Sequence, residues 1–204
     1  MNTETDLTDA LARSLDGTSG DLRRLHDRLA ADAQGEGLLD VAYRTIDTPV
    51  GSLLLAATDL GLVRVAYSVE DHEAVLQVLA DQISPRILLA PSRLDASVRE
   101  FEEYFEGRRH TFDLQLDWRL SEGFRSTVLH ALPNIGYGQT ASYAAVAQLA
   151  GSPKAVRAVG SACATNPLPV VVPCHRVVRS DGALGGYLGG VEAKRTLLDL
   201  EAAA

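Results

Sequence analysis

The stretch VVVPCHRVVRS, residues 170–180, contains the side chains best suited to covalent chemistry. Cys174 and His175 are adjacent; three valines and a proline precede them, and Arg176 and Arg179 follow. A cysteine attacks as the thiolate, which nearby cations favour and which burial among apolar side chains disfavours. A valine-rich segment is also an ordinary place for a small buried core cysteine. The adjoining histidine, arginine and prolines count against that alternative but leave it open, beside a rigid nucleophilic site.

Length and composition limit the classes of protein to consider. A chain of 204 residues, 46% apolar and 23% charged, suits one large globular domain or two small ones. No apolar run reaches the roughly 20 residues that span a bilayer, and the acidic N-terminal stretch lacks the apolar core of a secretory signal. We therefore expect a cytoplasmic protein with no membrane partner, whose Cys163 and Cys174 stay reduced. The spacing of these two cysteines does not suit a structural zinc site. We expect no metal and no cofactor.

The charge is unevenly distributed along the chain. Residues 1–118 hold 11 Lys/Arg and 22 Asp/Glu, a net charge of −11. Residues 119–204 hold 8 and 5, a net charge of +3, within a total of −8. A polyanion, if it is a partner, is expected to bind the C-terminal part.

We expect three segments. Residues 1–37 predict an N-terminal helical extension, a solvated hairpin interrupted by DGTSGD. Its two amphipathic patterns are formed by leucines at helical spacing: Leu7, Leu11 and Leu15, then Leu22, Leu25 and Leu29.

Residues 38–118 predict an N-terminal α+β domain. VAYRTI, LLLAAT and LVRVAYS alternate with turns and predict a three-stranded antiparallel meander. Two helices follow, and residues 113–118 are expected to form a last strand. His72 and His110 are isolated, and nothing in this half is expected to contribute to a catalytic site.

Residues 119–204 predict a mostly helical C-terminal domain. A first helix is expected to be capped by Ser121, and SYAAVAQLAG is expected to form a second. Ser152 is expected to cap a third, with Pro153 in its first turn, which completes a helix-turn-helix. Small residues beside Lys154 and Arg157 would allow close approach to nucleic acid, although alanine-rich helices also arise from plain packing. The valines around Cys174 predict one short strand before it and one after it.

The sequence resembles the O6-alkylguanine-DNA alkyltransferases, also called methylated-DNA–protein-cysteine methyltransferases. PCHRVV at 173–178 matches their active-site motif. SYAAVAQLAGSPKAVRAVGSACATNPLP is similar to their helix-turn-helix and hinge, and GALGGYLGGVEAKRTLLDLE to their substrate-pocket loop and closing helix. The match covers about residues 40–204. It implies an α+β fold with a ribonuclease H-like N-terminal sheet and a C-terminal helix-turn-helix domain.

The resemblance also implies the chemistry. Family members flip a damaged guanine out of double-stranded DNA and move its O6-alkyl group, and also the O4-alkyl group of thymine, onto their own cysteine once. Cys174 would be the nucleophile, His175 its base through a water, and Glu201 the group that orients the histidine. Tyr143 would bond the flipped base and assist its protonation. Asn166 would tie the active-site turn to the recognition helix.

The same resemblance implies how DNA and the base are held. Arg157 would fill the gap that the flipped base leaves, and Lys154 and Arg125 would contact phosphates. Further residues expected on the DNA side are Ala155, Val156 and Ser142, and the arginines after Cys174 are also expected to face DNA. The expected pocket comprises Tyr143, Val177, Tyr187, Leu188, Gly189 and Lys194. Leu188 replaces a small or polar residue of many relatives, which leaves the pocket's width for bulky alkyl groups open.

Three other functions compete with a monomeric, single-turnover repair protein. A non-catalytic binder of DNA lesions would lack the cysteine, and Cys174 is present. A regulator that senses alkylation would need an added domain with a cysteine cluster, and residues 1–37 contain no cysteine. A thiol hydrolase with a Cys-His-Glu set would turn over repeatedly and would not require DNA.

Overall fold

The structure is a computed structural model that describes residues 21, 22 and 24–203. Helix α1 (24–35) lies in the predicted N-terminal extension, and its Ala30 packs against Leu39, Ala42 and Ala90. The leucine pattern at residues 7–15 lies outside the described residues. Leu25 and Leu29 are exposed, because α1 turns only a small apolar patch toward the rest of the protein.

The N-terminal sheet has strand order β3-β2-β1-β4. The predicted antiparallel meander is confirmed as β1 (Val41–Thr48), β2 (Gly51–Thr58) and β3 (Gly61–Tyr67). A fourth strand, β4 (Ile87–Leu89), runs parallel to β1 and was not predicted, because three residues are too few to show an alternating pattern. The strand expected at 113–118 is wrong, since this segment makes a single bridge to β3 through Leu116.

Two helices cover this sheet. Helix α2 (His72–Gln82) begins at Asp71, whose carboxylate accepts from the backbone N–H of Glu73 at 3.1 Å and so caps the helix. Helix α3 (Asp95–Phe105) buries Val98, Phe101 and Tyr104, which follow one another at helical spacing. Tyr104 is thereby directed from the N-terminal half toward the C-terminal half.

The C-terminal half is mostly helical, as predicted. Its elements are α4 (Gly123–Ala131), β5 (Ala141–Ser142), α5 (Tyr143–Leu149), α6 (Val156–Ala164), β6 (Val177–Val178) and α7 (Gly190–Ala202). Helices α5 and α6 form the helix-turn-helix, and Gly151 adopts the positive φ of 71° that lets α5 end sharply. No helix of the described residues is long and apolar enough to cross a bilayer.

Both helix caps predicted here are wrong. Helix α4 begins at Gly123 after Glu122, and the buried Ser121 hydroxyl has no hydrogen-bond partner among the described residues. Helix α6 begins only at Val156, because a backbone hydrogen bond from Ala155 N–H to the carbonyl of Ser152 closes a turn there instead. Lys154 and Ala155 therefore precede the recognition helix α6.

The strand predicted before Cys174 is also wrong. Residues 169–171 form a turn and residue 172 a bend, and Val170 has a positive φ of 73°. The strand predicted after Cys174 is present as β6, which pairs in parallel with β5. This pairing places the start of α5 beside the segment that follows the cysteine.

The two halves share one hydrophobic core. A single cluster of buried side chains joins Leu55 and Phe101 of the N-terminal half to Val128, Cys174 and Leu197 of the C-terminal half. The backbone N–H of Val65 on β3 also donates to the carbonyl of Pro167 at 2.8 Å. The cysteine segment is therefore held from both halves of the protein.

Candidate active site

Cys174 lies at the start of a short 3-10 turn, Cys174–Arg176, and is only 2% exposed. Its Sγ accepts a hydrogen bond from Nδ2 of Asn166 at 3.1 Å. The same amide nitrogen donates to the carbonyl of Val172 at 2.8 Å, and the amide oxygen accepts from the backbone N–H of Leu168 at 3.0 Å. Asn166 thus joins the segment after α6 to the turn that carries the thiol.

The thiol is protonated in the resting protein at neutral pH. Burial raises the pKa of Cys174 to about 11, although the Asn166 hydrogen bond and the Lys194 ammonium act in the opposite direction. A buried thiol of this kind reacts as a nucleophile only when a base removes its proton. The residues next to Cys174 supply a candidate base.

His175 and Glu201 form a buried hydrogen-bonded pair. Nε2 of His175 lies 2.8 Å from Oε1 of Glu201, and both side chains are fully buried. Burial raises the pKa of Glu201, but hydrogen bonds from His175 and Arg176 outweigh it and lower the pKa to about 2. Burial lowers the pKa of His175, and the attraction of Glu201 offsets this only in part, so the ring is neutral.

These charge states determine the tautomer of the histidine. An ionised carboxylate only accepts hydrogen bonds, so Nε2 of His175 carries the ring proton and donates a hydrogen bond to Glu201. Nδ1 is left with a free lone pair, and it is buried without a hydrogen-bond partner among the described residues. Nδ1 is therefore the atom of this pair that can accept a proton.

Glu201 is held by donors besides the histidine. Arg176 donates from Nε to Oε2 at 2.9 Å and from Nη2 to Oε1 at 2.9 Å. The hydroxyl of Tyr104 donates to Oε1 at 2.7 Å, and the backbone N–H of Gly138 donates to Oε2 at 3.2 Å. The expectation that the arginines after Cys174 face DNA is wrong for Arg176, which is 6% exposed and paired inside the protein.

A cavity of about 450 Å³ lies between the recognition helix and the loop before α7. It is lined by Tyr143, Gly160, Cys163, Ala164, Gly186, Tyr187 and Leu188. Tyr143, Tyr187 and Leu188 were expected in the pocket, whereas Cys163 was not. Burial raises the pKa of Tyr143, so its phenol stays protonated and can donate to a ligand in the cavity.

Three other expected pocket residues are not among those that line this cavity. Lys194 is fully buried and donates to the carbonyls of Val177, at 2.6 Å, and of Leu184. Val177 is buried in β6. Gly189 lies against the ring of Tyr67, where an added Cβ would approach ring atoms to 2.6 Å. Lys194 and Gly189 fix the position of the pocket loop.

The N-terminal half contributes to the site, against expectation. Tyr67 at the end of β3 places its hydroxyl 2.9 Å from the hydroxyl of Tyr187 in the pocket loop. Tyr104 of α3 bonds Glu201, as described above. These contacts join residues about a hundred positions apart, so no local pattern in the sequence indicates them.

The residues expected on the DNA side lie around the helix-turn-helix. Lys154 and Arg157 are exposed, and within the described part of the chain their side chains make no hydrogen bond or ion pair. Val156 is 36% exposed, and Ala155 is half-buried. The hydroxyl of Ser142 caps α5 by accepting from Ala145 N–H at 3.1 Å.

Arg125 lies on α4 and donates to the carbonyl of Leu120, so it is partly held by the protein itself.

Across the described residues, no group of three or more His, Cys, Asp or Glu side chains could hold a metal ion. The groups that the site brings together are the thiol of Cys174, the imidazole of His175 and the phenol of Tyr143.

Comparison with known proteins identifies the family. Residues 41–118 match the description "6-O-methylguanine DNA methyltransferase, ribonuclease-like domain", and residues 123–203 match "6-O-methylguanine DNA methyltransferase, DNA binding domain". A methylated-DNA–protein-cysteine methyltransferase of Mycolicibacterium paratuberculosis is 40% identical over 161 residues, which cover 79% of this chain and 92% of that protein. The constitutive methyltransferase of Bacillus subtilis is 40% identical over 163 residues, covering 78% and 94%.

A solved structure agrees with the sequence comparisons. The crystal structure of Mycobacterium tuberculosis OGT in complex with DNA superposes with a TM-score of 0.66 at 36% identity, covering 79% of this chain and 93% of that one. The chain belongs to the 6-O-methylguanine DNA methyltransferase family. The resemblance and the α+β fold class stated from the sequence are confirmed.

Proposed function

We propose that this protein repairs DNA by transferring an alkyl group from O6 of guanine in double-stranded DNA to Sγ of its own Cys174. The observation that carries the proposal is the buried arrangement of Cys174, held by Asn166, beside the His175–Glu201 pair. Family membership supports the activity, because the relatives are named for methyl transfer from DNA to a protein cysteine. The relative crystallised with DNA supports DNA as the partner.

The reaction is a displacement at the alkyl carbon. The thiol proton passes to Nδ1 of His175 through a bridging water, and Glu201 stabilises the resulting imidazolium. The thiolate forms the S–C bond as the O6–C bond breaks, and the electron pair of that bond remains on guanine. A proton donated through the phenol of Tyr143 neutralises the departing base. A stable thioether results, so each chain reacts once.

The buried thiol requires that the base leave the double helix. Lys154 precedes the recognition helix and would contact a phosphate. Arg157 is exposed and makes no side-chain hydrogen bond or ion pair among the described residues, so it can enter the base stack and offset part of the unstacking cost of a few kcal/mol. The flipped guanine would enter the cavity between Tyr143 and Tyr187. The smaller O4-alkylthymine would be a second substrate of the same cavity.

We also propose two domains, a cytoplasmic location and a monomeric state. A division at residues 118 and 119 is supported by the two family matches, which end at 118 and begin at 123. A cytoplasmic location is supported by the chemistry, since an acceptor thiol must stay reduced. A monomer suffices, because the groups used in the reaction all come from one chain.

Substitution of each cysteine tests the proposal. Cys174→Ala should abolish methyl transfer from a duplex containing O6-methylguanine and leave duplex affinity within about twofold, because the thiol is buried and contacts no phosphate. Cys163→Ala is the matched control, since Cys163 lines the cavity but lies outside the relay, and it should still accept one methyl group per chain. Stoichiometric transfer by Cys174→Ala would contradict the assignment. Repeated turnover by the wild type without DNA would favour a thiol hydrolase.

A further inference from the structure

The hydroxyl of Tyr104 is placed on the catalytic carboxylate from the other half of the protein. Tyr104 lies on α3 and is fully buried. Its hydroxyl donates to Oε1 of Glu201 at 2.7 Å, and the same oxygen accepts from Nε2 of His175 at 2.8 Å. Arg176 also donates to this oxygen at 2.9 Å. Oε1 of Glu201 is therefore shared by donors from both halves of the protein, and Tyr104 is the donor from the N-terminal half.

Packing leaves Tyr104 little freedom to move away from this oxygen. Its ring contacts Phe105, Phe112 and Tyr137 with centroid separations of 5.3, 5.2 and 6.1 Å. A hydroxyl fixed in this way is a permanent donor, because strong burial and the nearby Glu201 carboxylate both raise the pKa of Tyr104. The phenol therefore remains protonated at neutral pH.

We propose that Tyr104 is a positioning residue that sets the basicity of His175 by donating a hydrogen bond to Glu201. A carboxylate oxygen that already accepts from a phenol attracts the proton on Nε2 less strongly, so the imidazolium form of His175 is less stabilised. The ring consequently stays neutral in the resting protein, and Nδ1 remains available to take the thiol proton. This inference rests on the proposed role of His175 as the base.

The other charged groups around His175 act in known directions. The Glu201 carboxylate is hydrogen-bonded to the ring, and it raises the pKa of the ring. Arg176 in the same turn and Lys194 on α7 lower that pKa. Tyr187 contributes an uncharged ring, with centroids 6.4 Å apart. Removing the hydroxyl of Tyr104 leaves all of these groups in place and strengthens the attraction of Glu201 alone.

The test is the pH dependence of thiol alkylation in Tyr104→Phe. Protonated His175 cannot act as the base, so the rate falls on the acid side as pH drops through the pKa of the ring. The midpoint of this acid limb should move to higher pH in Tyr104→Phe. Tyr137→Phe is the matched control: it removes a hydroxyl from the same aromatic cluster, but one without a hydrogen-bond partner among the described residues. Its acid limb should coincide with that of the wild type.

Two probes separate this inference from the proposed function. Iodoacetamide reports the relay without DNA, and a duplex with O6-methylguanine reports methyl transfer. An acid limb that moves to higher pH with iodoacetamide supports the role of Tyr104, whether or not the wild type demethylates DNA. Failure of the wild type to demethylate DNA would contradict the proposed function alone. An unshifted limb in Tyr104→Phe overturns the inference, even where its melting temperature has fallen, because a purely structural role changes stability and not the midpoint.

A second variant keeps the inference testable if Tyr104→Phe does not fold. A ring-fluorinated tyrosine at position 104 retains the hydroxyl and the ring but donates a stronger hydrogen bond. The acid limb should then move to lower pH, in the direction opposite to that of Tyr104→Phe. A shift to higher pH, or no shift, would contradict the proposed role.

Discussion

The surroundings of Cys174 and the recognition helix α6 differ in what their polar side chains contact. Around Cys174, the carboxylate of Glu201 accepts from His175, Arg176 and Tyr104, and all of these groups are buried. At the start of α6, Lys154 and Arg157 are exposed and make no side-chain hydrogen bond or ion pair within the described part of the chain. The polar groups of the first region are therefore held in fixed positions by one another, whereas the charges of the second region are accessible to a binding partner.

The charge distribution explains how an acidic protein can bind DNA. Two of the positive side chains in residues 119–204 are hydrogen-bonded inside the protein: Arg176 to Glu201, and Lys194 to the carbonyl of Val177. Few cations remain for phosphates, so the affinity should be modest and its dependence on salt shallow, with a slope of about 0.9 per phosphate contact. Substitutions in the two regions should therefore have different kinds of effect.

The largest effect is expected for Glu201→Gln. A neutral amide leaves Arg176 buried without its anion, which costs about 3–5 kcal/mol of unfolding free energy. It also removes the negative charge that stabilises the imidazolium form of His175, so thiol alkylation should slow by about 100-fold. Urea unfolding and the rate of alkylation measure the two effects. Glu192→Gln is the matched control, since Glu192 lies on the same helix with a side chain 85% exposed, and it should leave both unchanged.

The same variant tests the electrostatics of the relay. The pKa of Glu201 is lowered in the folded protein from an ordinary 4.5 to about 2, so its ionisation stabilises the fold above pH 4.5. That stability should disappear progressively as pH falls from about 4.5 to about 2. In Glu201→Gln this component of the acid loss should be absent. An identical acid dependence in both proteins would show that the carboxylate is not held as described.

A smaller effect is expected for Gly189→Ala in the pocket loop. The added Cβ would meet three ring atoms of Tyr67 at 2.6–2.7 Å, and Tyr67 is too deeply buried to swing aside. Overpacking of this kind costs about 1–3 kcal/mol and should displace Tyr187, so methyl transfer should slow by about tenfold. Gly35→Ala, with no atom within 4 Å of the added Cβ, is the control. Equal rates and melting temperatures for both variants would argue against the contact.

The smallest effect is expected for Arg157→Ala and is selective. Transfer from O6-methylguanine in a duplex should slow several-fold, because the gap left by the flipped base is no longer filled. Transfer from the free base should be unchanged. Lys154→Ala should instead reduce the salt slope for duplex binding by about one phosphate contact. Equal slowing of both substrates by Arg157→Ala would assign the residue to the fold or the pocket.

The sequence predicts features that depend on local periodicity or on an extended motif. Alternation predicts β1 to β3, helical spacing predicts α2 to α6, and the PCHRVV motif indicates the family. Features that depend on a single side-chain contact are missed. Ser121 and Ser152 fit the pattern of a helix cap, but the backbone turns before each helix make other hydrogen bonds. Glu201 was paired with His175 only through the family resemblance.

The missed parts of the site share a physical reason. Arg176 is adjacent to the Cys-His pair and was expected to face DNA, because nothing in the local sequence shows that Glu201 is 25 residues away and within reach. Tyr104 is 97 positions from that carboxylate, on a helix whose pattern indicates only burial. The turn and bend at 169–172 depend on the amide of Asn166 and on a valine with positive φ, which a run of valines does not indicate.

Cys174, beside the His175–Glu201 pair, is proposed to take the alkyl group once, and Cys163 in the cavity wall is not. Peptide mass spectrometry after incubation with excess O6-methylguanine duplex tests this proposal directly. We expect the mass of one added CH₂ on the peptide that contains Cys174, none on the peptide that contains Cys163, and no further reaction when fresh duplex is added. Methylation at Cys163, or release of the methyl group with continued turnover, would contradict the proposal.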